Sequence, residues 1–200
     1  LGSRWATAET SFKWHASCRH THPAADALLQ VMQQHGLAPG DLARVVTRVH
    51  QGAIDVLGPV VRPSTVHQSK FSMGTVLALA ARFGHAGLTE FEDHFLAPET
   101  QALRDRVEMV LDPEVDAAYP RQWIGKVTVH THDGRVFEGR VDEPKGDPGN
   151  TLTRDELTAK ALRLAAFSGG VAAGPMARAV DRLWQIEQCP RLGRLLERMP

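Results

Sequence analysis

The hydrophobic positions along the chain predict two long helices in its first three-fifths. Apolar side chains recur every three or four residues after Pro23, a residue favoured in the first turn of a helix, and the pattern ends at Gly36, a typical C-cap. A second stretch of the same period begins after Ser72, a favoured N-cap residue, and ends at Gly84. Each predicted helix therefore has one broad apolar face to bury.

Extended segments are predicted between and after these helices. Residues 44–50 and 106–111 alternate between apolar and polar side chains, as strands with one buried face do. Residues 123–130 and 135–141 flank an Asp-Gly pair, which is typical of the tight turn of a β-hairpin. Together these patterns predict an α+β fold in which helices cover one face of a small antiparallel sheet.

The remaining segments of this part of the chain carry weaker signals. Glycines and prolines give residues 51–66 the composition of a loop. Thr89 and Glu92 have the spacing of a capping box and predict a short helix. A further short helix is predicted over residues 99–104.

A change in composition follows the predicted hairpin. Residues 143–150 read Glu-Pro-Lys-Gly-Asp-Pro-Gly-Asn, as expected for a boundary between domains. Only helices are predicted after it, at residues 153–167, 175–188 and 191–199. Thr153 and Glu156 form a capping box at the start of the first. The predicted organisation has three parts, which are an entry segment (1–22), an α+β domain (23–150) and C-terminal helices (151–200).

Composition narrows the classes of function. Lys and Arg number 23 and Asp and Glu also number 23, and this balance argues against a nucleic-acid-binding protein, which needs a basic excess. No apolar run is long enough to cross a membrane. Cys18 and Cys189 are far apart and few, which indicates a reducing, cytoplasmic setting and not a disulfide scaffold.

The most reactive side chains of the chain are concentrated in residues 13–22, which we call the site segment. Lys13 and Arg19 supply positive charge directly before the predicted helix, whose first turn offers free N–H groups to an anion. His20 and His22 can exchange protons near neutral pH. The segment therefore predicts a site for carboxylates or phosphates, although titratable clusters also occur for structural reasons.

Three other interpretations of these residues stay open. The first is a zinc site, for which four side chains are possible ligands by type: His15, Cys18, His20 and His22. Their spacing matches no standard zinc motif, and a second ligand cluster is missing. A Cys18 nucleophile assisted by a histidine is possible but has no other support. A third interpretation is a non-catalytic interaction module whose C-terminal helices present an apolar face to a partner.

A second polar group precedes the predicted helix at Ser72. It contains His67, Gln68, Lys70, Ser72 and Thr75. An anion site there is conceivable, but a capped helix with a solvated Lys70 explains the same residues. The glycine- and proline-rich loop, with Lys145 and Asn150, fits either a linker or the mobile edge of a pocket.

Three segments resemble the MmgE/PrpD family, which includes 2-methylcitrate dehydratase of propionate catabolism. The first is Phe12-Lys13 followed by Cys18-Arg19-His20-Thr21-His22-Pro23-Ala24-Ala25-Asp26-Ala27. The second is Gln68-Ser69-Lys70-Phe71-Ser72-Met73, and the third is Pro144-Lys145-Gly146-Asp147-Pro148-Gly149-Asn150 with Leu152. They occur in the family's order, and the resemblance covers nearly the whole chain.

The resemblance implies a fold, a chemistry and a set of partners. Members of the family combine a large helical domain, formed by the N-terminal half and the last helices, with an inserted α+β lid. This chain resembles the lid and the returning helices, so the partners implied are the N-terminal helical half, a second copy in a homodimer and a small polycarboxylate. Proton transfer beside a carboxylate, without a metal or other cofactor, is the chemistry implied.

The resemblance also assigns roles to particular residues. Proton transfer falls to Lys13, His20 and His22, and substrate binding falls to Arg19, Cys18, Thr21, Lys70 and Ser72. The best-known reactions implied are dehydration of 2-methylcitrate and epimerisation of iminodisuccinate. Decarboxylation of cis-aconitate is disfavoured, because the decarboxylase branch has His at the position of Cys18 and Tyr at that of Thr75.

These expectations make a prediction for the 200-residue chain. Because the family's N-terminal half supplies several catalytic residues, the chain alone should be inactive on polycarboxylates. It should also expose the apolar faces of residues 153–199 or dimerise through them. Light scattering after size-exclusion chromatography and an activity assay check this, and a well-folded, active monomer would refute it.

Overall fold

The computed structural model describes residues 2–189. In chain order its helices and strands are α1 (His22–His35), β1 (Leu42–Val49), α2 (Gln51–Leu57), α3 (Val66–Ser69), α4 (Met73–Phe83), α5 (Leu88–His94), α6 (Pro98–Arg104), β2 (Val107–Leu111), α7 (Pro113–Ala118), β3 (Gly125–Thr131), β4 (Val136–Val141), α8 (Arg154–Ser168) and α9 (Ala173–Trp184). The chain divides into two compact units between Thr151 and Leu152. None of these helices is both long and apolar enough to cross a bilayer.

The first unit is built on a four-stranded sheet with the order β2-β1-β3-β4. β1 and β3 pair antiparallel, with Val45 opposite Val129, and β3 and β4 form the predicted hairpin. β2 pairs parallel to β1, with Val45 beside Val107. The α+β class is confirmed, and the sheet is mixed where the sequence predicted an antiparallel one, because the chain crosses over through helices before it forms β2.

The two faces of the sheet differ in chemistry, as strand alternation requires. Val45, Val49, Val127 and Val129 are buried in a core that also contains the apolar faces of α1 and α4. The opposite face carries charged pairs such as Arg44 with Glu108. The long helices of this unit therefore lie on one face of the sheet, as predicted.

Local sequence signals explain both long helices. α1 has proline in its first turn and ends where Gly36 adopts the left-handed conformation, with φ of 62°. α4 begins where the Ser72 hydroxyl accepts the backbone N–H of Thr75, and it ends at Gly84, with φ of 75°. These predicted ends are confirmed.

Several short elements differ from the prediction. Residues 51–66 are not all loop, because Ala53 and Leu57 are buried in the core and draw Gln51–Leu57 into a helix. The cap of α5 is also displaced: the backbone N–H of Gly87 donates to Glu90, so Thr89 and Glu92 do not form the capping box. α7, which begins at the Asp112 N-cap, was not predicted.

The second unit contains a helical hairpin, α8 and α9. The predicted capping box of α8 is confirmed, since Glu156 N–H donates to Thr153 and Thr153 N–H donates to Glu156. Trp184 Nε1 donates to the Thr158 hydroxyl at 3.2 Å and joins the two helices. The helix predicted over residues 191–199 lies outside the described residues.

The first turn of α1 packs unusually closely on β3. A Cβ built on Gly125 would lie 2.1 Å from the Pro23 carbonyl oxygen, which is backbone and cannot rotate away. Gly125 therefore sets the distance at which the start of α1, and the site segment before it, crosses the sheet.

This close approach predicts a specific mutational effect. Gly125→Ala should lower the free energy of unfolding by about 1–3 kcal/mol, because the added methyl group forces α1 away from β3. Urea unfolding followed by circular dichroism measures the change. Gly40→Ala is the matched control, since nothing lies within 4 Å of its Cβ position. Equal stability of the two variants would contradict this packing.

Candidate active site

The site segment leads into α1 through a 3-10 turn, Arg19–Thr21. Hydrogen bonds of the Ser17 and Thr21 side chains stabilise this turn. The buried Thr21 hydroxyl donates to the Cys18 carbonyl at 2.8 Å, and Ser17 Oγ lies 2.9 Å from Thr21 Oγ1. Because the Thr21 hydroxyl already donates its hydrogen bond to the Cys18 carbonyl, Ser17 is the donor in the hydrogen bond between Ser17 and Thr21. The predicted substrate-binding residue Thr21 is thus engaged inside the protein.

The loop at residues 144–150, which we call the strap, lies against the site segment. Phe12 N–H donates to the Gly146 carbonyl at 2.8 Å. Gly146 has φ of +96°, and an added Cβ would collide with the Phe12 carbonyl, so this position needs glycine. Arg19 forms a partly buried ion pair with Asp147. The strap, which contains the third of the segments that resemble the family, is therefore joined to the site segment, which contains most of the first.

His15 is fully buried and hydrogen-bonded at both ring nitrogens. Its Nδ1 accepts the Ala86 backbone N–H at 3.1 Å, so the hydrogen is on Nε2, which lies 3.2 Å from Asp26 Oδ1. The other oxygen of Asp26 accepts the Lys145 backbone N–H at 2.6 Å. One carboxylate in α1 therefore holds both His15 and the strap.

The second polar group, at residues 67–75, meets the site segment through the backbone. Cys18 N–H donates to the Lys70 carbonyl at 2.9 Å. Cys18 itself is half-buried, and the Lys70 ammonium lies over the Phe91 ring, 5.8 Å from its centroid. The backbone of Lys70 therefore lies beside Cys18, and a shared role of the two residues in substrate binding stays a prediction.

Ser72 and Thr75 are engaged with each other. Both are buried, and Ser72 Oγ accepts the Thr75 backbone N–H at 3.3 Å and its hydroxyl at 3.1 Å. Ser72 therefore acts here as a helix cap. Its predicted contact with substrate has no direct geometric support.

Unsatisfied polar atoms concentrate at the site segment. Within residues 2–189, the buried side-chain nitrogen and oxygen atoms with no hydrogen-bond partner are Arg19 Nη1, both ring nitrogens of His22, and His50 Nδ1. Buried polar atoms normally have partners, and leaving one unpaired costs about 1–3 kcal/mol. Such a cluster is expected where a ligand completes the hydrogen bonds.

Among Arg19, His22 and His50, the residues with these unpartnered atoms, His22 has the most perturbed environment. Burial holds its pKa well below the usual value, and the positive charges of Arg19 and Lys13 lower it further. The Ser17 backbone opposes this shift but is not in good hydrogen-bonding geometry with the ring. His22 is therefore a neutral imidazole with unengaged nitrogens.

His20 pairs with a histidine that the sequence did not single out. His20 Nδ1 lies 3.1 Å from His50 Nε2, and the His50 ring stacks on Tyr119 with centroids 3.8 Å apart. Burial lowers the pKa of His20, and burial together with His20 lowers that of His50 to about 4. In the sequence, the only signal that could have pointed to His50 as a site residue is its position at the end of β1, next to a turn.

Lys13 and Arg19 supply the positive charge of the site. Lys13 is exposed, and its ammonium donates to the Ser17 carbonyl at 3.2 Å. Arg19 is mostly buried, and burial lowers its pKa while Asp26 opposes this shift. Its guanidinium lies 5.2 Å from the centroid of the Trp123 ring. One exposed cation and one mostly buried cation thus lie near enough to His22 to lower its pKa.

The zinc interpretation finds no support in these positions. His15 is committed to Asp26 and Ala86, and His20 faces His50. Among residues 2–189, no three His, Cys, Asp or Glu side chains are grouped to hold a metal ion. The four possible ligands of the site segment therefore do not converge on one point.

Comparison with known proteins agrees with this architecture. Residues 15–186 match the model of the MmgE/PrpD C-terminal domain. A search of curated proteins finds no match. Because the family match covers most of the chain, the chain belongs to the MmgE/PrpD family.

The buried neutral histidines predict how stability changes with pH. The pKa values of His20, His22 and His50 are lowered from 6.5, so the unfolded chain binds more protons than the folded chain below about pH 6.5. The free energy of unfolding should therefore fall from pH 6.5 towards 4.5, by up to about 1.4 kcal/mol per pH unit for each histidine.

Urea unfolding at several pH values measures this slope. His50→Phe should flatten it, whereas the matched control His132→Phe removes an exposed histidine and should not. A slope that is the same in His50→Phe as in the unsubstituted chain would contradict the assignment of His50.

Proposed function

We propose that this chain is the C-terminal part of an MmgE/PrpD lyase or isomerase that acts on a small di- or tricarboxylate. The reaction proposed is proton transfer at a carbon next to a carboxylate, as in 2-methylcitrate dehydratase. Family membership supports the general class. The particular reaction is inferred from the chemistry of the site segment.

One observation carries the proposal: buried, unpartnered nitrogens of His22 and Arg19 lie beside an exposed lysine. A carboxylate has four lone-pair directions and accepts hydrogen bonds from guanidinium, ammonium and imidazole groups. A substrate with two or three carboxylates can satisfy several of these groups at once. A monoanion or a neutral molecule would leave most of them unpaired.

The roles follow from charge and exposure. Arg19, which is paired with Asp147, would bind one carboxylate of the substrate, and the exposed Lys13 would bind another. His22 is neutral and can accept a proton, because its pKa is held below the physiological range. The two cations would stabilise the negative charge that develops when the proton leaves.

Two positions argue against decarboxylation as the reaction. Thr75 is buried and its hydroxyl donates to Ser72, so it offers no free hydroxyl to a substrate. Cys18 is half-buried, and a thiol does not replace a basic imidazole in proton transfer at the same position. Dehydration is therefore proposed first. Epimerisation, which uses the same proton transfer, is the alternative.

The partners proposed follow from the second unit. Large apolar side chains of the α8–α9 hairpin are 41–47% exposed, and they are Leu164, Phe167, Val171, Leu183 and Ile186. Such a set on one small helical unit suits burial against further helices. We propose that the N-terminal helical half of the family covers them, and that the whole protein is a cytoplasmic homodimer.

The proposal is tested on the protein that contains both halves. Incubation with 2-methylcitrate or iminodisuccinate in D2O, followed by NMR, should show loss of a proton from a carbon beside a carboxylate, with deuterium taken up at that carbon only where it is reprotonated, as in epimerisation. An unsaturated product indicates dehydration, and an inverted centre indicates epimerisation. His22→Gln should lower kcat by about 10²-fold or more, because it removes the proposed base.

Lys13→Ala separates binding from chemistry in the same assay. It should raise KM at least tenfold, since one carboxylate contact is lost. The matched control is Arg44→Ala, which removes an exposed cation from the outer face of the sheet and should change neither constant. Absence of turnover, together with unchanged substrate binding in Lys13→Ala, would refute the site assignment.

A further inference from the structure

The contact between His20 and His50 decides which nitrogen of His20 carries a hydrogen. We propose that His50 is a positioning residue that donates its Nε2–H to His20 Nδ1 and so keeps the hydrogen of His20 on Nε2. His20 then presents a neutral N–H donor to an anionic ligand. That this ligand is a substrate carboxylate rests on the proposed function; the tautomer itself does not.

The distance between the rings limits the number of hydrogens between them. His20 Nδ1 and His50 Nε2 are 3.1 Å apart, which is hydrogen-bonding distance. Two hydrogens would clash in this gap, and two bare lone pairs would repel. One hydrogen therefore lies between the rings and belongs to one of them.

The environment of His50 Nδ1 decides which of the two rings carries the shared hydrogen. If His20 were the donor, His50 would carry its hydrogen on Nδ1, which is buried and has no partner in the described residues. A buried N–H without an acceptor is rarer than an unpaired lone pair. The hydrogen of His50 is therefore on Nε2, and its Nδ1 is bare.

The backbone around His50 Nδ1 supports the same assignment. A Cβ built on Gly52 would lie 3.3 Å from Nδ1, so this nitrogen packs against the first turn of α2. Backbone N–H groups in the first turn of a helix carry partial positive charge. A bare nitrogen is better tolerated beside them than an N–H.

The aromatic neighbours keep both rings in place. His50 stacks on Tyr119 at an interplanar angle of 8°, and the His20 ring lies 5.3 Å from Trp123. The charged groups near the pair are Arg19, which lies over the Trp123 ring, Arg48, which lines the same small cavity, and Asp116, which opposes the lowering of the His50 pKa. A lowered pKa keeps both histidines uncharged at neutral pH, so each ring has one hydrogen to place.

The free nitrogen of His20 is available to a ligand. His20 is half-buried, and within residues 2–189 its Nε2 is neither hydrogen-bonded nor among the buried unpartnered atoms. A neutral imidazole N–H stabilises developing negative charge without first giving up its proton. His20 would then be the hydrogen-bond donor of the site, and His22 would be the base.

Nitrogen-15 NMR of the histidine rings of this chain tests the tautomer directly. Long-range proton–nitrogen correlations distinguish a protonated ring nitrogen from a bare one, and His20→Gln assigns the signals. The expected spectrum shows hydrogen on Nε2 of both His20 and His50. Hydrogen on Nδ1 of His20 would overturn the proposal.

Substitution of His50 tests the positioning role. His50→Phe keeps a ring against Tyr119 and removes the donor, so His20 should become a mixture of tautomers. His132→Phe, the matched control at an exposed position, should leave the His20 signals unchanged. An unchanged tautomer in His50→Phe would overturn the role of His50, and His50→Gln provides a second variant if the first does not fold.

Kinetics of the complete protein then connect the tautomer to the reaction. His50→Phe should lower kcat by about 10²-fold with a smaller change in KM, and His50→Gln, whose amide can still donate, should recover part of the loss. Unchanged kcat in an active enzyme would overturn the positioning role. If no polycarboxylate binds at all, the proposed function fails, and the NMR experiment still decides the tautomer.

Discussion

The candidate site depends on the carboxylate of Asp26, which holds two segments that are distant in sequence. One oxygen accepts His15 from the site segment, and the other accepts the backbone of Lys145 in the strap. Asp26 can do this because it lies in α1, whose own position is set by the close packing on β3 at Gly125. α1, which packs against the sheet, thus fixes the positions of the site segment and the strap through Asp26.

The surroundings of Asp26 show how a site rich in unsatisfied groups stays folded. His15 and Thr21 are buried and fully hydrogen-bonded, and they fix the backbone on either side of Arg19. His22 and Arg19, in contrast, keep buried nitrogens without partners. The apolar face of α1 offsets the cost of these atoms, because fully burying each large aliphatic side chain stabilises the fold by about 1.5–3 kcal/mol.

Local signals predicted the elements whose ends are set within a few residues. The α4 N-cap at Ser72, the α8 capping box at Thr153 and the hairpin turn, with Gly134 at φ of +86°, are confirmed because each is closed by near neighbours in the chain. The helix at Gln51–Leu57 was missed, because Gly52 within it and Gly58 after it are turn signals locally, while burial of Leu57 is decided by the core. The parallel pairing of β2 was missed for a similar reason, since alternation does not encode strand direction.

The sequence by itself determined which reactive residues lie together between Lys13 and His22, because they are neighbours in the chain before a helix start. It also determined the family through its motifs. Only the tertiary structure decided the chemistry of each residue: which histidine is satisfied, which cation is fixed and which hydroxyl is engaged. His15 and His22 look alike in sequence, yet contacts with Asp26 and Ala86 satisfy one ring, while burial without partners leaves the other open. The partners of these rings come from distant parts of the chain, and no local pattern specifies them.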